Sequence, residues 1–205
     1  MFFSFDGIDG TGKTTQLELC GDWLRERGYD VVSCRDPGST PLGERVREIL
    51  LHSDAATPIG RRSEMLLYMA ARAQLVEELI RPALAANKIV VSDRYLLANL
   101  VYQGHAGGLD VEAVRAIGRI AIDGTEPDAV FLLDMSPAAA DRRLSRALDR
   151  MERQGVDYRQ RLRDGFLAEA ARARDRIHVV DADRSVEAVQ AEIRGIAQVL
   201  LRSAE

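Results

Sequence analysis

Short apolar runs alternate with longer stretches of helical periodicity along the whole chain. Phe2, Phe3 and Phe5 form the first run, and Val31, Val32 and Cys34 the second. Ile89, Val90 and Val91, then Val130, Phe131, Leu132 and Leu133, then Ile177, Val179 and Val180 complete the series. They predict strands over residues 1–5, 30–34, 88–92, 129–133 and 176–180. Continuous apolar runs, as opposed to alternating ones, are what a parallel sheet covered on both faces requires. Between them apolar residues recur at three and four positions, as in Leu17, Cys20, Trp23 and Leu24. That spacing predicts helices over 15–27, 43–51, 61–85, 95–102, 111–122, 137–148, 158–172 and 185–201. Pro82 is expected to end or bend the longest of these, and Met65, Leu66, Met69 and Leu75 on it to point into the core.

The segment after the first run changes the picture most. Gly7-Ile8-Asp9-Gly10-Thr11-Gly12-Lys13-Thr14, followed by Thr15, fits G-x-x-x-x-G-K-[ST] between a predicted strand and a predicted helix. That context is the one that confirms a phosphate-binding loop. Glycine at 7, 10 and 12 lets successive N–H groups turn inward on a phosphate, and a helix starting near Lys13 adds its N-terminal dipole. Lys13 is expected to reach the β- and γ-phosphates, and the Thr14 hydroxyl to take Mg²⁺. The bland alternative is a glycine-rich turn that binds nothing. With the loop included, the pattern reads as a P-loop NTPase-type α/β three-layer sandwich, a single domain over residues 1–205. Ligands on such sheets lie beyond the carboxyl ends of the strands, which directs attention to the residues after Phe5, Cys34, Ser92 and Val180.

Composition narrows the partners. The chain is 46% hydrophobic and 29% charged, with 28 basic against 32 acidic residues and a net charge of −4. A broad basic surface is not implied, which disfavours nucleic acid. Cys20 and Cys34 form no C-x-x-C pair, and three scattered histidines supply no zinc spacing. These features suggest a cytoplasmic, reduced protein without a structural metal. The N-terminal apolar stretch ends at Asp6, too short for a signal peptide, and no apolar run is long enough to span a membrane.

Three further clusters carry candidate chemistry, each with a plainer reading beside it. Arg35-Asp36-Pro37-Gly38-Ser39-Thr40 comes after the second strand, where Arg35 and Asp36 either face a ligand or pair with each other. After the third strand comes Asp93-Arg94-Tyr95. Asp93 is placed to hold Mg²⁺ through water and Arg94 to grip a phosphate; otherwise Asp93 caps the next helix. Arg146, Arg150 and Arg153 share one helical face, either as a solvated surface or as a lid that brings arginines onto phosphate. Tyr68 and Arg72, four apart, project together into a cleft or stack on the surface.

Together these segments resemble the bacterial thymidylate kinase family over nearly the whole chain. The phosphate loop is joined in order by Arg35-Asp36-Pro37-Gly38-Ser39-Thr40, Ala70-Ala71-Arg72, Asp93-Arg94-Tyr95, Tyr102-Gln103-Gly104 and Asp149-Arg150-Met151-Glu152. The resemblance implies a nucleoside monophosphate kinase-like fold with a small lid over about 143–156, and Mg²⁺-dependent transfer of the ATP γ-phosphoryl group to dTMP. ATP would be held by the loop from Gly7 to Thr15, by Arg146 and Arg150, and near adenine by Ala182. On the acceptor side, Asp9 would meet the 3′-hydroxyl or nearby metal-bound waters, Arg94 the phosphate and Tyr68 the thymine ring; Arg72, Asn99 and Gln103 would meet the base edge, with Asp36 nearby. Tyr102 would stand where a 2′-hydroxyl is excluded, and a homodimer is expected. The loop has no arginine at positions 9 to 11, which matches the members that draw their basic groups from the lid. Two departures stand out. Asp36 replaces the family's usual glutamate, and Leu97-Ala98 replace an acid and a serine, so two polar contacts beside the acceptor pocket are lost. The rival readings are a kinase for another nucleoside monophosphate or a deoxynucleoside, and a non-catalytic nucleotide-binding paralogue or switch.

Overall fold

The computed structural model describes residues 1–52, 58–144 and 156–203. Strands β1 (Phe2–Asp6), β2 (Val31–Arg35), β3 (Ile89–Asp93), β4 (Ala129–Asp134) and β5 (Ile177–Asp181) form one parallel sheet in the order β2-β3-β1-β4-β5. Pairing is in register, with Phe5 beside Asp93 on one side and Phe131 on the other. The central strand β1 is buried at every residue, whereas the edge strands β2 and β5 are largely half-buried or exposed. The order reverses beside β1, so the loop after it opens into the crevice where such sheets bind ligands.

Side chains alternate across β1 and divide the core. Phe3 and Phe5 pack their rings on Phe131 at 5.6 and 5.1 Å, in a cluster with Leu24 of α1 (Lys13–Glu26). Phe2 faces the other way, edge-on to Tyr95 at 5.0 Å and in the cluster that holds Leu75, Ile80 and Val90. Helix α2 (Pro41–His52) packs beside α3 (Arg61–Leu75), and α3 beside α6 (Val111–Ile122). Helices α7 (Pro137–Arg143), α8 (Val156–Arg172) and α9 (Val186–Ser203) complete the described layers.

The long helix expected over 61–85 runs its full length, and Pro82 does not end it. A π-helical turn over Val76–Ile80 separates α3 from α4 (Arg81–Ala85), with Pro82 in the first turn of α4. Proline lacks an N–H and crowds the carbonyl four residues back, and a widened turn at that point removes the conflict. Leu66 corrects the expected core set: it is 51% exposed, while Met65, Met69 and Leu75 are buried. A second π-helical turn, Leu100–His105, extends the short helix α5 (Leu96–Asn99) past the expected end at 102. It carries Tyr102 and Gln103, both buried.

Candidate active site

Each of the five strands ends on a charged residue at the same edge of the sheet: Asp6, Arg35, Asp93, Asp134 and Asp181. A single cleft of about 870 Å³ runs along that edge, from Ala182 beyond β5 to Arg35 and Asp36 beyond β2. It passes over the phosphate loop after β1 and is lined among the described residues by seven Lys or Arg side chains against three aspartates. A chain of net charge −4 therefore concentrates positive potential where phosphates would sit.

The loop's glycines have separate reasons. A Cβ at Gly7 would lie 2.4 Å from the Leu133 carbonyl oxygen, and one at Gly10 would lie 2.4 Å from that of Ala140. Gly12, with φ +90°, meets nothing within 4 Å, so its open side is space that the fold leaves beside the helix start. Ile8 lies in the core and serves the loop by its carbonyl, which accepts hydrogen bonds from Thr11 Oγ1 at 2.9 Å and Lys13 Nζ at 3.0 Å. Lys13 is thus folded across the loop, and burial lowers its pKa, as does the Arg94 charge, against the pull of Asp9 and Asp93. Thr14 Oγ1 donates to Asp93 Oδ2 at 3.0 Å. Asp93 makes this contact from the strand end, and α5 has no side-chain cap, which removes the capping alternative.

Asp9 is the hub of the cleft. Its carboxylate is reached by Arg94 Nη2 at 2.5 Å, Tyr102 Oη at 3.1 Å and Lys13 Nζ at 3.3 Å. Burial alone would raise its pKa, but Arg94 and Lys13 outweigh that and hold it well below the usual carboxylate range. Arg94 also donates to the Gly7 carbonyl at 3.1 Å and lies over the Tyr102 ring at 5.0 Å. Its backbone is left-handed, with φ +67°. The fold holds that conformation from both sides: Arg94 N donates to Phe5 O at 2.9 Å, and Ser92 Oγ donates to Arg94 O at 2.7 Å.

Beyond Arg94 lies a wall built from α3 and the second π turn. Tyr68 and Arg72 both line the cleft, as their spacing suggests, and so do Asn99, Tyr102 and Gln103. Arg35 and Asp36 do not pair with each other. Arg35 bonds Glu44 at 2.7 Å, while Asp36 Oδ2 receives Arg72 Nε at 2.5 Å with both side chains buried. Arg72 Nη2 donates to the Tyr95 carbonyl at 3.2 Å, leaving Nη1 on Met69 Sδ, a weak acceptor, at 3.2 Å. Leu97 and Ala98, which stand where the family's polar pair was expected, are buried among apolar neighbours, and Ala98 lines the cleft.

At the opposite end, Ala182 N donates to Asp134 O at 2.8 Å and Ala182 O accepts from Arg143 at 3.1 Å. Thr15 is exposed on the cleft wall. Of the expected lid, Arg143 and Leu144 line the cleft, whereas Arg146, Arg150 and Arg153 lie outside the described residues. Several functional neighbours escape a reading of the sequence. Asp6 is fully buried with neither carboxylate oxygen hydrogen-bonded; burial pushes it up to about 7, against the pull of Arg94 and Lys13. Arg159 of α8 donates to the Asp9 carbonyl at 2.9 Å and pairs with Asp141. Arg47 and Arg184 add charge to the cleft. Asp6 alone had a signal, a carboxylate terminating an otherwise apolar strand beside the loop.

A parallel sheet with a phosphate loop at its switch point, and the cations Arg72 and Arg94 further along the same cleft, defines a P-loop phosphotransferase of the nucleoside monophosphate kinase kind. The thymidylate kinase family model matches residues 5–193. The chain is 45% identical over 204 residues to the thymidylate kinase of Bifidobacterium longum subsp. infantis, covering 98% of this chain and 88% of that one. To the thymidylate kinase of Thermosipho africanus it is 41% identical, covering 99% and 100%. The crystal structure of thymidylate kinase from Ehrlichia chaffeensis superposes with a TM-score of 0.79 at 32% identity, covering 97% of this chain and 98% of that one. The chain belongs to the thymidylate kinase family.

Proposed function

We propose that the protein transfers the γ-phosphoryl group of ATP to dTMP, giving dTDP and ADP. The observation that carries this reading is the sharing of one carboxylate, Asp9, by the loop lysine and by Arg94 in the same cleft. Two cations held by one internal counter-ion are poised for two anionic ligands meeting at that point. The accepting phosphate oxygen is already ionised at pH 7, so catalysis consists of positioning and charge neutralisation. Phosphates that take Lys13 and Arg94 displace Asp9, which then turns to the acceptor sugar. Arg94 grips the acceptor phosphate, while Lys13, Arg146 and Arg150 neutralise the transferred group. The loop from Gly7 to Thr15 cradles the donor phosphates, and Ala182 borders the adenine.

Mg²⁺ fits the Thr14–Asp93 pair, a hydroxyl and one carboxylate in contact beside the loop. Thr14 and Asp93 would hold the ion, which would supply charge neutralisation to the donor phosphates when bound. Tyr68 stacks on the base, and Tyr102, packed against Arg94, closes the space of a 2′-hydroxyl. Arg72 Nη1 and Asn99 Oδ1, which has no hydrogen-bond partner among the described residues, form a donor and an acceptor that complement O4 and N3–H of thymine. A cytoplasmic homodimer completes the reading. No helix among the described residues is long and apolar enough to cross a membrane.

The test is a coupled assay with ATP, Mg²⁺ and dTMP, dUMP, dCMP or dGMP side by side. dTMP is expected to turn over best. ATP hydrolysis indifferent to every acceptor would overturn the assignment.

A further inference from the structure

Asn99 is 2% exposed and lines the cleft, and its side-chain amide is not free to choose its orientation. Its Nδ2 donates to Gln103 Oε1 at 2.7 Å, and Gln103 Nε2 donates in turn to Glu64 Oε1 at 3.1 Å. Glu64 is buried on α3, away from the cleft lining. Each amide has one accepting and one donating end, while an ionised carboxylate only accepts. The polarity of the row is therefore set at its buried end. Glu64 draws the Gln103 NH₂ to itself, the Gln103 oxygen faces Asn99, and Asn99 must offer its NH₂ inward. Asn99 Oδ1 is left over as a buried hydrogen-bond acceptor without a partner among the described residues.

We infer that Glu64 is a positioning residue for base selection, fixing through Gln103 the acceptor face that Asn99 shows to the pyrimidine. The inference rests on the assignment of this pocket to a thymine-type base. A pyrimidine-2,4-dione offers N3–H and O4, which the unpartnered Asn99 oxygen and the Arg72 guanidinium would satisfy together. Cytosine offers an unprotonated N3 and an amino group, so it meets acceptor with acceptor and donor with donor. Rejection of such a base comes from leaving buried polar groups unpaired. An amide free to turn over would accept either edge.

Glu64→Gln is nearly isosteric and replaces the acceptor-only end of the row with a group that can take either sense. The expected result is that kcat/KM for dTMP over dCMP narrows by about tenfold, with dUMP tracking dTMP because it shows the same edge. A structural lesion alone would lower all three in proportion. A dTMP to dCMP ratio unchanged from the parent overturns the inference. The exchange variant Glu64→Gln with Gln103→Glu restores a carboxylate that only accepts from Asn99, and is expected to return the ratio to within about threefold of the parent. It carries the test if the single variant does not fold, and a ratio still narrowed about tenfold in it overturns the inference equally. Failure of the parent to phosphorylate dTMP is a separate outcome that overturns the pocket assignment, and this inference with it.

Discussion

At the scale of single residues, the site is a set of charges whose environments pull against them. Asp6 is the plainest case, because its raised pKa of about 7 against an ordinary 3.8 arises first from burial. A group whose folded pKa is raised adds stability that is whole below the unfolded value and is lost as pH climbs through the folded one. Asp6→Asn cannot ionise, so it is expected to melt about 5 °C higher than the parent at pH 8, with the gap closing toward pH 4. Thermal melts across that range check it, and parallel curves would exonerate Asp6. Arg94 is tied to Asp9, Gly7 and Tyr102 at once. Arg94→Ala is expected to raise KM for dTMP by about a hundredfold with little change in KM for ATP. Arg94→Lys should recover little, since a point charge cannot replace the planar fork. A shift in the ATP constant instead would move Arg94 to the donor side.

At the scale of elements, the sequence placed all five strands, and its error at the carboxyl end was the same each time. The apolar runs stop at Phe5, Cys34, Ser92, Leu133 and Val180, and each strand continues one residue further. The pattern records apolar side chains, and each strand's last residue is charged while still paired in the sheet; Arg35 and Asp93 among them line the cleft. The π-helical turns were invisible for another reason: helical spacing in sequence does not register one widened turn. Neither was the Glu64–Gln103–Asn99 row nor the Arg72–Asp36 pair legible, since their partners meet only after α3, β2 and the second π turn are packed together. The loop, Asp93-Arg94 and Tyr68 with Arg72 were legible because each is a local motif at a strand end or on one helix face. The segment between α7 and α8 carries the remaining proposed charge. Arg150→Ala is expected to lower kcat by about 10³-fold while ATP binding, followed by calorimetry, survives. Near-normal turnover would remove Arg150 from the catalytic set.

At the scale of the whole molecule, two features bear on assembly and on the order of events. Helices α2, α3 and α6 pack side by side, and each leaves a large apolar residue outside: Ile49, Leu66 at 51% and Ile120 at 79% exposure. The proposed homodimer would account for them if its interface covered these helices. Light scattering is expected to give a dimer mass for the parent and a monomer mass for Ile120→Arg; a dimer mass unchanged in the variant would place the interface elsewhere, and a monomeric parent would overturn the homodimer. The shared counter-ion has the wider consequence. While Asp9 is held by Lys13 and Arg94 together, each of these two cations already has a counter-ion, and a ligand that takes either one must break part of the lock on the other. Loosening Asp9 once makes the second displacement easier, so the two binding events are thermodynamically coupled. Such coupling is reciprocal: a non-hydrolysable ATP analogue should tighten dTMP by the same factor that dTMP tightens the analogue. The small carboxylate at position 9 is thereby a means for each half of the cleft to sense whether the other is full.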